Sequence, residues 1–108
     1  MSTQKVHIAI AVADLEASIA AYSMKFGRQP ELIRKEAYAL WRTDLLNFSI
    51  SVDPENAGHV RHLGFEDASS TAMTAEYDVN GLLWERFTYQ QQRTEIDIHY
   101  PADTKNDK

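Results

Sequence analysis

The chain opens with an alternating stretch that predicts a β-strand over residues 6–12. Branched side chains occupy every second position: Val6, Ile8, Ile10 and Val12. Between them lie His7 and two alanines. Side chains two positions apart share one face of a strand. One face of this strand should therefore pack under a helix, while the other carries small residues and one imidazole.

A helix is predicted directly after this strand, over residues 15–26. Asp14 suits the N-cap, because its carboxylate can accept hydrogen bonds from free backbone N–H groups. Gly27 suits the left-handed residue that ends a helix, and Pro30 prevents a restart nearby. The helix carries an apolar stripe at helical spacing, formed by Leu15, Ile19, Tyr22 and Phe26.

Two more strands are predicted after a charged connection at residues 28–35. The first covers residues 36–42, and a turn at Thr43 and Asp44 leads to the second, residues 45–52. The second shows the clearest alternation in the chain. Its core-facing residues are Leu46, Phe48, Ile50 and Val52. Its other face is polar and consists of Asn47, Ser49 and Ser51.

Residues 59–70 repeat the opening pattern. His62 precedes Gly64 on the less apolar face of a predicted strand, and Ser69 and Ser70 then suit a helix start. Two strands that each carry a histidine on the small-residue face indicate a duplicated half-domain. His59, at the beginning of this stretch, is expected on the surface.

Two interpretations fit residues 70–100. In the first, residues 82–89 form a strand that carries Glu85. In the second, residues 70–92 form one helix and residues 94–100 form a strand. A helix start near Ser70 is favoured, and the part after Gly81 stays open between the two. A strand over residues 94–100 would place Glu95, Asp97 and His99 on one face. A second metal constellation is conceivable there, but a solvated edge strand with His99 on the surface is favoured.

Length and composition indicate one α+β domain over residues 1–100, followed by a polar tail at residues 101–108. The 108 residues are 44% hydrophobic and 25% charged, with a net charge of −5 and no cysteine. This charge argues against binding to nucleic acid or to an anionic membrane. No apolar run approaches the roughly 20 residues of a membrane span, so a cytoplasmic protein is expected.

Several motifs together resemble the vicinal oxygen chelate superfamily, which includes glyoxalases, bleomycin-resistance proteins and dioxygenases. They are the segment Val12-Ala-Asp-Leu-Glu-Ala-Ser-Ile-Ala-Ala-Tyr-Ser-Met-Lys-Phe-Gly-Arg-Gln-Pro30, Leu46-Asn-Phe-Ser-Ile50 and His62-Leu-Gly-Phe65. The nearest likeness is to the cadmium-induced and organoarsenical-lyase branch. That branch carries a cysteine pair, so binding of trivalent arsenic by thiols is not supported here.

The resemblance implies paired βαβββ units that curl into a cup. The last third resembles the family ending only in part: Asp78-Val-Asn-Gly-Leu-Leu-Trp-Glu85 follows His62 too closely. A truncated second unit leaves an incomplete half-barrel with an unpaired sheet edge. Such edges tend to find a partner strand, so a homodimer that completes the cup is expected.

The resemblance also implies a divalent metal ion (Fe²⁺, Zn²⁺, Ni²⁺ or Mn²⁺) held by His7, His62 and Glu85, with Glu85 as the catalytic carboxylate. Such an ion polarises a substrate oxygen. The candidates for binding a small-molecule substrate are Trp41, Asn47 and Ser49, for which core packing or solvent exposure are the other interpretations. The implied function is a metal-dependent glyoxalase, dioxygenase or lyase. The alternatives are a non-catalytic protein that sequesters a small molecule and a degenerate dimeric member of the superfamily.

Overall fold

A mixed sheet of seven strands and two helices form the α+β structure, which was obtained as a computed structural model and describes residues 4–102. The strands are β1 (Gln4–Val12), β2 (Leu32–Arg34), β3 (Tyr38–Arg42), β4 (Leu46–Val52), β5 (Val60–Asp67), β6 (Thr74–Tyr77) and β7 (Leu83–Phe87). The helices are α1 (Leu15–Phe26) and α2 (Tyr89–His99), and a short 3₁₀ turn covers Pro54–Asn56. Beyond Ala102 the predicted polar tail lies outside the described residues.

The strand order across the sheet is β2-β3-β4-β1-β5-β7-β6. The central pair, β1 and β5, is antiparallel. On one side β1 pairs in parallel with β4, which pairs antiparallel with β3; on the other side β5 pairs in parallel with β7, which pairs antiparallel with β6. The second side therefore repeats the pairing of the first, without a helix between its strands and without a counterpart of β2.

Helix α1 begins and ends where the sequence predicts. The Asp14 side chain accepts a hydrogen bond from the backbone N–H of Ala17 at 3.0 Å, and Gly27 adopts a φ of 71°. The helix packs on the branched face of β1, as predicted, and closes a core with Trp41 and Phe48. We call this side of the sheet the α1 face.

Helix α2 packs on the opposite side, which we call the α2 face. Ile96 is buried against Tyr38 and Leu40, and Tyr100 stacks on Tyr38 with ring centroids 4.8 Å apart. The polar residues of β4 point to this face and are buried beneath the helix: Asn47, Ser49 and Ser51. The alternation predicted for β4 is therefore confirmed, with both of its faces covered.

The helix predicted from Ser70 is wrong, because residues 74–87 form the hairpin of β6 and β7. The Asp78 carboxylate accepts hydrogen bonds from the backbone N–H groups of Asn80 and Leu82, and at 2.7 Å from the Trp84 indole. Gly81 follows with a φ of 83°, a backbone region that suits glycine. These contacts fix a tight turn, and the interpretation of residues 82–89 as a strand is confirmed by β7.

The strand predicted over residues 94–100 is also wrong, because this segment belongs to α2. Thr88 and Gln91 form a reciprocal capping box that starts the helix. Glu95 and His99 are one helical turn apart, with His99 Nε2 at 3.1 Å from Glu95 Oε1. Asp97 contacts Arg34 instead. The metal constellation conceived for a strand is therefore absent from the described residues. Within the predicted connection at residues 28–35, residues 32–34 form strand β2.

Neither helix within residues 4–102 is long and apolar enough to cross a membrane.

Candidate metal centre

Three neighbouring strands bring His7, His62 and Glu85 together. Across the β1–β5 pair His7 lies opposite Gly64, and across the β5–β7 pair Glu85 lies opposite the same glycine. His62 is two residues away from Gly64 along β5 and therefore points to the same face. The three side chains thus surround a position that has no side chain of its own, so their polar atoms can converge above it.

Two of the three pairs of donor atoms are spaced as ligands of one ion would be. His62 Nε2 lies 3.0 Å from His7 Nε2 and 3.3 Å from Glu85 Oε1, and all three donor atoms lie within 4.8 Å of one another. Two donors that each lie about 2.1 Å from an ion, at an angle near 90°, are about 3 Å apart. Two imidazoles and one carboxylate are also the donor set of many divalent transition-metal sites. The residues present therefore fit such an ion.

Gly64 is required for this convergence. A Cβ atom built on Gly64 would collide with the backbone carbonyl of Glu85. Only glycine therefore allows β7 to run this close to β5 at that point, and the close approach brings the Glu85 carboxylate towards the two histidines.

A hydrogen-bond network determines which nitrogen of His7 is free. The Asn47 amide nitrogen donates to Glu66 Oε1 at 2.8 Å, and a carboxylate can only accept. The amide oxygen of Asn47 must therefore face His7, whose Nδ1–H donates to it at 2.8 Å. The hydrogen is assigned from this network, and the assignment leaves the Nε2 lone pair of His7 directed at His62.

Further contacts hold the Asn47 amide in this orientation. Arg42 contacts both oxygens of Glu66, at 2.9 and 2.6 Å. Burial opposes the ionisation of Glu66, but Arg42 and Asn47 outweigh it and hold the pKa of this carboxyl below its usual range. Gln92 of α2 exchanges two hydrogen bonds with Asn47, at 2.8 and 3.1 Å. The substrate-binding role predicted for Asn47 is therefore corrected, because its polar atoms are fully used and its amide positions His7.

Burial keeps both imidazoles neutral. Burial, together with the nearby His7 and Arg61, lowers the pKa of His62 to about 3. Burial also lowers the pKa of His7, against the hydrogen bonds that its Nδ1–H donates to Asn47. The contact between His62 and Glu85 is therefore one between a neutral imidazole and a carboxyl group rather than an ion pair. Neutral imidazole is the form that binds metals.

The Glu85 carboxyl resists ionisation. Burial raises its pKa, the positive charge of Arg61 opposes that rise, and the nearby Glu95 adds to it. A carboxylate that lacks a full positive partner in a partly buried place is stabilised by any cation that joins it. The electrostatics of Glu85 therefore favour a bound cation at the junction of the three side chains.

A cavity of about 480 Å³ opens beside the three side chains, between the α2 face and α2. Besides the three candidate ligands it is lined by Tyr38, Ser49, Arg61, Met73, Leu83, Phe87, Gln92, Glu95, Ile96, His99 and Tyr100. Ser49 thus lies where a substrate could reach it. Trp41 lies on the α1 face, fully buried, with its indole donating to the Arg28 carbonyl. The substrate-binding prediction for Trp41 is therefore corrected to a core role.

Two residues that position the site, Glu66 and Gln92, are not among those that the sequence singles out. Glu66 shares a strand face with His62, and that alternation is a usable signal. Gln92 lies at the end of the helix predicted over residues 70–92, although Thr88 and Gln91 match the capping-box pattern of a helix that begins there. His59 is exposed, as predicted, whereas the exposed His99 borders the cavity.

Comparison with known proteins assigns nothing to this site. No protein-family model matches the chain, and a search of curated proteins finds no match. The chemistry of the site therefore follows from its own residues.

Proposed function

We propose that this protein is a metal-dependent enzyme of the glyoxalase, dioxygenase or lyase kind, acting on a small molecule. The observation that carries the proposal is the convergence of His7 Nε2, His62 Nε2 and Glu85 Oε1 above Gly64, at the wall of a cavity. Three protein donors leave coordination positions free for two adjacent oxygens of a substrate. The resemblance of the sequence to the vicinal oxygen chelate superfamily agrees with this arrangement.

His7 and His62 hold the ion in this proposal, and Asn47 fixes the orientation of His7. When bound, a divalent ion polarises a substrate oxygen and stabilises the negative charge that develops on it. His62 Nε2 carries its hydrogen in the metal-free network, since the Nε2 lone pair of His7 accepts it at 3.0 Å. His62 must therefore move that hydrogen to Nδ1 before its Nε2 can act as a ligand.

Glu85 has a second role in the proposal, as the catalytic carboxylate. Its pKa is raised by burial, which brings it closer to the range in which a carboxylate accepts and returns a proton. Phe87, Leu83 and Ile96 form an apolar wall beside the same place. Apolar surroundings lower the local dielectric constant and so strengthen the electrostatic contacts beside them.

The proposal includes a half-barrel of βαβββ type, with a shortened second unit and a homodimer that completes it. Strand β6 forms one edge of the sheet, and all four of its residues are exposed. A second cavity of about 430 Å³ adjoins this strand on the α1 face, beside Phe65 and Trp84. Light scattering at micromolar concentration tests the assembly, and a folded protein that stays monomeric would reject it.

The cavity also favours a second candidate function, the sequestration of a small molecule without catalysis. Its lining includes apolar side chains from the sheet and from α2, namely Met73, Leu83, Phe87 and Ile96. This lining does not depend on a metal ion. Ligand binding that is unchanged by a chelator would favour sequestration over the metal-dependent reaction.

Calorimetric titration with Zn²⁺ and Co²⁺ tests the proposed function, using untagged protein. Wild type should bind one ion per chain, and His7→Ala and His62→Ala should each abolish binding. Glu85→Gln should weaken it by roughly 10- to 100-fold, the loss typical of a disturbed ligand shell. With wild-type protein, 4-nitrocatechol should then change its visible absorption when its two adjacent oxygens occupy the free positions.

His59→Ala is the matched control, because His59 is exposed and outside the cavity. This variant should bind the ion as wild type does. If wild type binds no divalent ion more tightly than the millimolar range, the metal-dependent function is rejected. If only the histidine variants lose binding, Glu85 is not the third ligand.

A further inference from the structure

Arg61 lies at an irregularity in the β1–β5 ladder. Ala9 pairs with His62, but Ile10 pairs with Val60, so Arg61 is an extra residue with no partner on β1. Such a β-bulge redirects side chains and is common beside functional sites. Neighbouring residues of a regular strand point to opposite faces, yet Arg61 and His62 both line the cavity. The bulge thus turns an additional cation towards the candidate metal centre.

The guanidinium of Arg61 acts on Glu85 through its charge but forms no ion pair or hydrogen bond in residues 4–102. Two carboxylates nevertheless line the same cavity. Glu85 contacts His62 and Glu95 contacts His99. The five other arginines of the chain each donate to a carboxylate, a backbone carbonyl or a tyrosine hydroxyl. Arg61 is therefore the cation of this cavity that is available to a ligand.

We propose that Arg61 binds the anionic group of the substrate, which is an organic acid with an apolar body. Arg61 adjoins His62 in the chain, so the acid group would lie beside the candidate metal centre. The two adjacent oxygens that reach the centre would then be the 2-oxygen and one carboxylate oxygen of a 2-oxo or 2-hydroxy acid, while the other carboxylate oxygen contacts Arg61. The apolar body would lie against Phe87, Leu83 and Ile96. This inference rests on the proposed function for the position of the reacting oxygens, but not for the recognition of the anion.

A matched pair of probes tests the inference: phenylglyoxylate, an aromatic 2-oxo acid, and its neutral methyl ester. Binding is measured by calorimetry with metal-free and with Zn²⁺-loaded protein. Wild type should bind the acid at least about tenfold more tightly than the ester, because a guanidinium–carboxylate contact is charge-assisted. The preference should shrink as salt is added, since the site is partly exposed.

Arg61→Gln should remove the preference for the acid, and Arg61→Lys should retain part of it. Arg28→Gln is the matched control, because Arg28 is exposed and donates only to the Arg42 carbonyl, away from the cavity. Unchanged thermal unfolding of the Arg61 variants shows that they fold.

The outcomes separate this inference from the proposed function. If Arg61→Gln binds the acid as wild type does, or if wild type binds acid and ester alike or neither at millimolar concentration, the role of Arg61 is rejected whatever the metal result. If the acid depends on Arg61 but no ion binds at the three donors, the metal-dependent function is rejected and the anion site stands.

Discussion

The two halves of the sheet share a pairing pattern but differ in what covers their α1 face. In the first half, β1, β3 and β4 lie beneath α1, and Trp41 is fully buried. In the second half, β5, β6 and β7 have no helix on that face among residues 4–102. Phe65 and Trp84 stack there on each other, with ring centroids 6.0 Å apart, and the Arg86 guanidinium covers Phe65.

The residues that stabilise the fold and most residues of the candidate site therefore lie in different halves of the sheet. The covered half supplies the main apolar core, whereas the uncovered half supplies His62, Glu85 and Arg61. Burial of apolar surface is the main source of folding free energy. The second half is therefore expected to open more readily than the first, and two of the three candidate ligands lie in the half that opens.

The largest predicted effect compares one tryptophan from each half. Trp41→Ala should lower the free energy of unfolding by about 3–5 kcal/mol, because it leaves a cavity in a closed core. Trp84→Ala should cost roughly half as much, since Trp84 is only partly buried and the surface there can relax. Urea denaturation of both variants measures the difference. Equal losses would show that the second half is as well packed as the first.

The next effect concerns the junction between the halves. Gly64→Ala should lower the free energy of unfolding by about 3 kcal/mol, because its Cβ meets backbone rather than a movable side chain. β7 must move away, so the affinity for Zn²⁺ should fall as well. Ala9 follows His7 on β1 by two residues, as Gly64 follows His62 on β5, and it already carries a Cβ. Ala9→Gly therefore serves as the control and should keep the affinity for Zn²⁺. A stable Gly64→Ala protein with unchanged affinity would contradict the close approach of β5 and β7.

A pH series examines the buried imidazoles directly. In the unfolded chain His62 takes up a proton as pH falls through 6.5, while in the folded protein its pKa is about 3. The unfolded state therefore binds more protons in this window, and stability falls as pH falls. Between pH 7 and 5, metal-free wild type should lose about 2 kcal/mol more than His62→Gln. Urea titrations at the two pH values measure this, and parallel losses would mean that His62 is protonated in the folded protein.

The smallest predicted effect concerns the two helices. Thr88→Ala removes the capping box of α2 and should cost about 1 kcal/mol. Asp14→Ala removes the N-cap of α1 and should cost a similar amount. Hydrogen exchange distinguishes them: the first change should increase exchange in α2 and loosen Gln92 from Asn47, while the second should leave α2 unaffected. Increased exchange in both helices after either change would show that they unfold as one unit.

The first half could be predicted from the sequence because its signals are local and agree with each other. The period-2 pattern around Ile10, the cap at Asp14 and the glycine at Gly27 all indicate one strand and one helix. The second half lacks this agreement. The alternation around Ile96 and Ile98 predicts a strand, but in α2 the two residues lie on different faces, with Ile96 buried and Ile98 exposed. The capping box at Thr88 is the local signal that favours the helix.

For the candidate site, the sequence indicates which strands carry the ligands but not the contacts that surround them. His7, His62 and Glu85 were identified by resemblance, and the alternation of each strand indicates the face on which each lies. The network behind His7 could not be predicted, because Glu66 and Gln92 meet Asn47 only through the tertiary arrangement of β5 and α2. The bulge at Arg61 likewise depends on the register between two strands, which one strand alone does not specify.

The position of the three donors in the chain would link the proposed metal binding to folding of the whole sheet. His7 and His62 are 55 residues apart in sequence, and Glu85 comes from a third strand. No short peptide of this chain contains the site, so the unfolded chain offers the ion only separate, weak ligands. By mass action, a bound ion at 100 times its dissociation constant would add about 2.7 kcal/mol to the free energy of unfolding. The metal supply would then control how long the uncovered half stays closed and how much of the chain proteases can reach.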